Sequence, residues 1–301
     1  MQRSQTMAPR AAVTIGLIES CEVLTDYHVH LRPDDVERTP AAQYLTAANA
    51  ERYRAAASEH GIEELGVAEH VYRFRQALEV WDHELWRHSA RDDLDAYCEF
   101  VRGETDLRLG IEADFVPGSE DRLAQLLDAH DFDYVVGSIH FLGDRGALDY
   151  DEYDIWAGMD SADKVWRTYF EWLGEAAASG MFDILAHPDL VKYWGRERPW
   201  PERDPRYYYE IAMEGIAGSG VAVEVSTAGL RKPVGELYPA AAFLEMVVDA
   251  GNPIALSSDA HEPAHVGFGY EQALAALERA GVSQIAVFER RSRRLVPVGA
   301  P

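Results

Sequence analysis

Short apolar runs, rich in β-branched residues and closed by a polar or ionisable side chain, recur along the chain and alternate with longer segments of helical spacing. The runs lie at 22–28, 65–70, 107–112, 134–140, 183–187, 221–226 and 253–259. Between them, apolar positions three or four apart, such as Tyr44, Leu45, Ala48 and Tyr53, predict helices over 41–60, 165–179 and 240–250. Gly61, Gly180 and Gly251 follow these segments, where a helix C-terminus favours a residue free to take a left-handed backbone. Strand and helix in alternation predict parallel strands covered by helices, as a closed barrel or a doubly wound sheet. The ionisable residues decide between them. Nearly every run carries its His, Glu or Asp at the C-terminal end, and in a barrel those ends converge on one face, so an α/β barrel of about seven strands is expected.

No low-complexity segment, long linker or fixed-period repeat marks a boundary, so residues 23–301 are expected to form a single domain. Residues 1–22 read as a loosely ordered extension, with Met7 as an alternative start. Composition narrows the function. With 28 Lys+Arg against 52 Asp+Glu the formal net charge is -24, and such a surface repels phosphate backbones, so no long nucleic acid is expected as a partner. The two cysteines, Cys21 and Cys98, form no C-x-x-C pair, and a reducing, cytoplasmic setting is the expectation. The apolar stretch 11–18 is too short for a membrane span, as is every other run.

The sharpest chemical signal is His28-Val29-His30 at the end of the first run: on a strand, residues i and i+2 share a face, so both imidazoles can meet one ion. Glu112, His70, His140, His187 and the Asp259/His261 pair each close a different run. Six of the eleven histidines thus fall at strand ends beside two carboxylates, while His60, His83, His88, His130 and His265 read as solvated polar residues in helices or loops. A set of imidazoles and carboxylates without thiolate suits zinc, iron or manganese, and eight such residues exceed what one tetrahedral ion needs. Two or three ions follow, with a carboxylate bridging one pair.

These residues, in this order, resemble the polymerase-and-histidinol-phosphatase (PHP) family of metal-dependent phosphoesterases over residues about 24 to 290. Segments 110–115 (Gly-Ile-Glu-Ala-Asp-Phe), 132–143, 226–233 (Ser-Thr-Ala-Gly-Leu-Arg-Lys-Pro) and 257–261 (Ser-Ser-Asp-Ala-His) are similar to its monofunctional histidinol-phosphatase branch. The resemblance implies a distorted (β/α)7 TIM-like barrel with a trinuclear centre. It implies His28, His30, Glu112 and Asp259 around one ion, Glu112 bridging to a second held by His140 and His187, and His70 with His261 on the third. The position that usually completes the third site is Val36 here, which leaves Asp34, Asp35 or Glu37 as the nearest substitutes.

The implied reaction is hydrolysis of L-histidinol phosphate to L-histidinol and phosphate by a metal-bound hydroxide, with Asp259 or His261 passing a proton to the leaving alkoxide. Lys192 and Arg231, near strand ends, are expected to hold phosphate oxygens, with Lys232 an equal candidate for surface salt bridging. Segment 71–86, rich in acidic and aromatic residues, reads as a packed amphipathic helix or a lid over the substrate. The run Arg290, Arg291, Arg293, Arg294 reads as a solvated face or a contact in a homo-oligomer. Alternatives are a protein tyrosine phosphatase, a nucleotide phosphoesterase, and a metal-binding barrel without catalysis.

Overall fold

A computed structural model gives the fold and describes residues 22–33, 41–143, 146–158 and 161–299. Residues 1–21, expected to form a loose extension, and Asp34, Asp35, Val36 and Glu37, weighed for the third ion, lie outside the described residues. Every apolar run becomes a strand of one seven-stranded sheet: β1 (Thr25–Asp26), β2 (Glu64–His70), β3 (Arg108–Asp114), β4 (Tyr134–Ser138), β5 (Ile184–Leu185), β6 (Ala222–Ser226) and β7 (Ile254–Ser257). Neighbours in sequence are neighbours in the sheet, and all pair in parallel. The seam between first and last strands is bridged just past their ends, where the His30 amide donates to the Ala260 carbonyl at 2.8 Å and the Ala260 amide to that of His28 at 3.2 Å. The sheet is therefore a nearly closed barrel, and its C-terminal rim carries the eight described residues expected to ligate metal.

The helices form where capping and spacing direct. Thr46 caps Ala47–Glu59 by accepting from the Asn49 amide at 3.2 Å, and Ser161 caps Ala162–Ser179 in the same way. That second helix starts three residues before the expected 165, because its first turn is polar and carries no apolar signal. Gly61, Gly180 and Gly251 have φ of 68°, 70° and 79°, the left-handed backbone expected after helix ends. Inside the barrel Gly66 and Gly110 make room for Tyr134: a Cβ at either would come within 2.3 Å of its ring or hydroxyl. Among the described residues no helix is long and apolar enough to cross a membrane.

One expectation is corrected and another gains detail. Segment 71–86 is packed as expected but is not one helix; it folds as 3-10 turns Val71–Arg73 and Arg75–Glu79 and the start of helix Glu84–Ser89, with Phe74, Ala77, Val80 and Trp86 buried in the core. The arginine run 290–294 belongs to an antiparallel hairpin, β8 (Gln284–Glu289) and β9 (Ser292–Pro297), that covers the N-terminal end of the barrel. Phe288 packs there against Tyr27 and Tyr134, with ring centroids 5.6 and 6.2 Å away. Arg291 pairs with Asp183, Arg294 with Glu64 at 3.0 Å, and the Arg290 amide donates to Asp133 at 3.1 Å. These carboxylates lie at or just before the starts of strands, while Arg290, Arg293 and Arg294 are exposed, as a solvated face was expected to be.

Candidate metal centre

Parallel strands aim their C-terminal side chains at one place, and Glu112 near the end of β3 stands in the middle of it. Its carboxylate is 1% exposed, and its two oxygens face different histidines. Oε2 lies 3.3 Å from His28 Nε2 and 3.5 Å from His30 Nε2, while Oε1 lies 3.3 Å from His140 Nε2 and 3.2 Å from His187 Nε2. Asp259 closes the first group, its Oδ1 3.5 Å from His30 Nε2 and 3.8 Å from His28 Nε2. His70 reaches Glu112 Oε2 with Nδ1 at 2.5 Å and turns Nε2 toward His261 Nε2 at 3.4 Å. The His30 ring stacks between the rings of His70 and His261 at 4.3 and 4.1 Å. All eight residues expected to ligate metal thus converge.

The spacing fits coordination better than hydrogen bonding. Ligands about 2.0 to 2.2 Å from a tetrahedral ion lie roughly 3.3 to 3.6 Å from one another. Most of the distances from Glu112 and Asp259 to His28, His30, His140 and His187 fall in or next to that interval, while His70 Nδ1 meets Glu112 directly at 2.5 Å; Nε2 of His28, Nε2 of His30 and Oε2 of Glu112 are buried without a hydrogen bond. Clusters able to hold an ion include His28, His30 and Glu112; His28, His187 and Asp259; His70, Glu112 and His140; and His30, His70 and His261. The donor set therefore fits divalent ions.

Charge and burial are opposed throughout the centre. Burial favours the neutral acid, yet the histidines hold Glu112 and Asp259 well below the usual carboxylate range. Burial likewise disfavours an imidazolium, but Glu224 and Glu112 keep His28 well above its ordinary value, and Glu112 and Asp114 carry His140 up to about 10. For His70 burial wins and pushes it well down. Two of the residues sit on uncommon backbone: His187 at φ 24° and Asp259 at φ 51°. Left-handed non-glycine residues persist only where their surroundings hold them, and they concentrate at functional sites.

A supporting layer of carboxylates lies behind the histidines. Glu224 in β6 accepts from His28 Nδ1 at 2.9 Å, from the His187 amide at 2.6 Å and from the Ser257 hydroxyl at 2.5 Å. Asp114 accepts from His140 Nδ1 at 2.9 Å. Glu69 accepts from the amides of Leu31 and Arg32 at 2.7 and 3.2 Å while paired with Arg73 at 2.6 Å, which fixes the chain just after His30. Such partners set the tautomer and direction of a ligating imidazole. Sequence reading passed over Glu224 and Asp114 as partners, although Asp114 stands two residues after Glu112 and so on the same strand face.

Above the centre opens a cleft of about 200 Å³ whose lining includes His70, His140, His187, Asp259 and His261, together with Tyr72, Asp149, Tyr150, Tyr193, Lys232 and Tyr238. Of the two basic residues expected to hold phosphate, neither is among these. Lys192 is buried, its ammonium 2.9 Å from Asp189 and donating to the Leu237 carbonyl at 2.8 Å. Arg231 donates to the carbonyls of Ser258 and Asp259 at 2.8 and 2.9 Å, bracing the loop that carries Asp259. Lys232 is the Lys or Arg that does line the cleft. Of the histidines read as solvated, His83 is instead buried, capping helix Glu84–Ser89 and stacked on Trp81 at 4.4 Å.

Comparison with known proteins gives one consistent answer. A family model described as PHP domain matches residues 42–228. A probable histidinol-phosphatase of Deinococcus radiodurans is 33% identical over 270 residues, covering 86% of this chain and 94% of that protein. A histidinol-phosphatase of Bacillus subtilis is 28% identical over 192 residues, 59% of this chain and 70% of the other. Among solved structures, a histidinol phosphate phosphatase from Lactococcus lactis, complexed with zinc, L-histidinol and phosphate, superposes with a TM-score of 0.66 at 18% identity, covering 91% of this chain and all of that one. The shared fold is a distorted TIM-like barrel.

Proposed function

This chain belongs to the PHP domain family, and on that premise we propose that it is a histidinol-phosphatase, a metal-dependent phosphomonoesterase that hydrolyses L-histidinol phosphate to L-histidinol and phosphate. The observation that carries the chemistry is the position of Glu112, whose two oxygens face separate sets of histidines beneath a cleft sized for a small molecule. His28, His30, Glu112 and Asp259 would hold one ion, Glu112, His140 and His187 a second, and His70 with His261 a third. Zinc, iron or manganese suits these donors, and two or three ions are proposed. When bound, divalent ions supply the positive potential that a phosphate dianion needs in so acidic a protein, and they lower the pKa of a coordinated water.

The remaining work falls to the chain's own groups. Hydrolysis joins a water oxygen to phosphorus, breaks the ester P–O bond and requires a proton on the departing alkoxide. His261, partly open to the cleft with Nδ1 3.5 Å from Asp259 Oδ1, is the proposed holder of that proton, with Asp259 orienting it. Arg231 steadies Asp259 from behind, and Lys192 with its partner Asp189 supports the wall, so both act on substrate binding through neighbours; Lys232 faces the entering phosphate. At the other end of the ligand, Asp149, Tyr150, Tyr72 and Tyr193 offer a carboxylate and aromatic faces suited to an ammonium and an imidazole. Tyr72 is stacked on His70 at 4.6 Å and 3.3 Å from the Tyr150 hydroxyl, which ties recognition to the centre. The net charge of -24 supports the reading that long nucleic acid is not a partner, and the two cysteines, which form no C-x-x-C pair, support a reducing, cytoplasmic setting. Phosphate release from L-histidinol phosphate, phosphotyrosine and AMP tests the substrate: strong preference for the first supports the reading, and equal slow rates on all three would leave a phosphoesterase of another specificity.

A further inference from the structure

Tyr238 is fully buried, lines the cleft above the metal centre, and carries a hydroxyl with no hydrogen-bond partner among the described residues. A buried donor left unmade costs stability unless something binds it, so such groups call for a physical reason. The structure holds this ring firmly. Tyr238 pairs by backbone with Ser226 at the end of β6, at 2.7 and 3.0 Å. Its ring meets that of His187 edge-on at 6.2 Å, and the Lys192 ammonium lies over it at 5.4 Å. Across the ring the chain passes so close at Gly229 that a Cβ there would come within 3.0 Å of Tyr238 Cε2. The orphan hydroxyl of Tyr134 is different: that ring fills the barrel interior beside Gly66 and Gly110 and is not among the cleft residues.

Among the described residues Lys232 is the Lys or Arg that lines the cleft, and one ammonium cannot satisfy every oxygen of a phosphate. Lys192 is paired with Asp189, and Arg231, which is not among the lining residues, gives one terminal nitrogen to two backbone carbonyls. A phosphomonoester brings non-bridging oxygens that need donors, and a phenol is a donor at any physiological pH. We propose that the Tyr238 hydroxyl donates a hydrogen bond to a non-bridging phosphoryl oxygen of the bound substrate, which makes it a substrate-positioning residue of this site. The inference rests on the phosphatase reading above, and predicts a ligand-dependent role for a group that does nothing for the free protein.

Tyr238→Phe removes the oxygen and keeps the ring against His187 and Lys192. Four quantities decide the matter: melting temperature of the ligand-free protein, bound metal, kcat/KM for L-histidinol phosphate, and the affinity of the metal-loaded protein for inorganic phosphate. The expected result is an equal or higher melting temperature, unchanged metal content, and both kcat/KM and phosphate affinity lowered about 10- to 100-fold, the range for losing a hydrogen bond to a charged group. Kinetic constants and phosphate affinity both within about twofold of the parent would overturn the proposal, since the hydroxyl would then touch no ligand. Loss of turnover with phosphate affinity kept would overturn the phosphoryl contact, and loss that tracks melting temperature or metal content would make Tyr238 structural. A parent protein inactive on L-histidinol phosphate would defeat the substrate reading instead, while the phosphate comparison still judges the hydroxyl.

Discussion

Glu224 accepts a hydrogen bond from Nδ1 of His28 at 2.9 Å, which keeps a proton on Nδ1 and leaves Nε2, facing Glu112, as the atom free to ligate once the ring is neutral. The same carboxylate receives the His187 amide at 2.6 Å and the Ser257 hydroxyl, so one buried side chain orients residues from both sides of the centre and ties them to β7. Glutamine cannot accept at all these points, because its amide nitrogen must face one of the donors. Glu224→Gln is therefore expected to weaken metal affinity about 10- to 100-fold. Metal titration of the stripped variant checks this, and retained affinity would remove Glu224 from the account.

Glu112→Gln tests the bridge. The substitution keeps shape but takes away the charge that faces histidines on both sides, so metal content and turnover are expected to fall together, turnover by more than about 100-fold, beyond the range for supporting residues. Metal counted on the same sample as the assay decides it. Full activity in the variant would mean that another group bridges.

The pH dependence of the metal-free protein follows from the signs of the shifts. His28 and His140 are raised, His140 to about 10, so their stabilisation is complete below the unfolded value near 6.5 and disappears as pH rises through the folded one. Glu112 and Asp259 are lowered, so theirs is present above the ordinary carboxylate range and is lost in strong acid. His70, depressed by burial, works against stability below about pH 6.5. The metal-free melting temperature is thus expected to decline as pH rises from near neutral toward about 10, while metal affinity strengthens over the same range because ligating imidazoles must release protons. Melting curves and zinc titrations across pH provide the check, and proton-independent zinc binding would contradict the ligand set.

The terminal hairpin is expected to serve stability alone. Phe288→Ala opens a cavity between Tyr27 and Tyr134 and should cost about 3 to 5 kcal/mol. It lies at the N-terminal end of the barrel, where side chains act on stability and not on chemistry, so kcat of the folded variant should stay near the parent's. Urea unfolding and an assay on the same preparation separate the two effects.

Much of this was legible in the residues because a parallel barrel turns linear position into spatial convergence: a His or carboxylate ending an apolar run must sit on the rim with the others. Even β1 and β5, two residues each by pairing, announced themselves through His28 and His187. What escaped reading was set by partners far off in sequence. The arginines 290–294 looked solvated, and Arg290, Arg293 and Arg294 are; only the pairing of Arg291 with Asp183 was hidden, because Asp183 lies more than a hundred residues earlier. Lys192 looked like a phosphate ligand until Asp189 and the Leu237 carbonyl surrounded its ammonium. Glu224 was hidden by its place inside a strand, where a lone carboxylate in an apolar run gives no hint that His28, His187 and Ser257 will meet it. Tyr238 had no local signal at all, since its position depends on a loop returning to pair with Ser226.

The most direct test of the central claim is phosphate release from L-histidinol phosphate by metal-stripped protein during stepwise return of zinc, with bound zinc counted at each step. The account expects no turnover in the stripped protein and activity that rises as two or more ions bind, reaching a kcat/KM of at least about 10⁴ M⁻¹s⁻¹. Full activity without metal, or a filled centre with no turnover on this substrate, would contradict it.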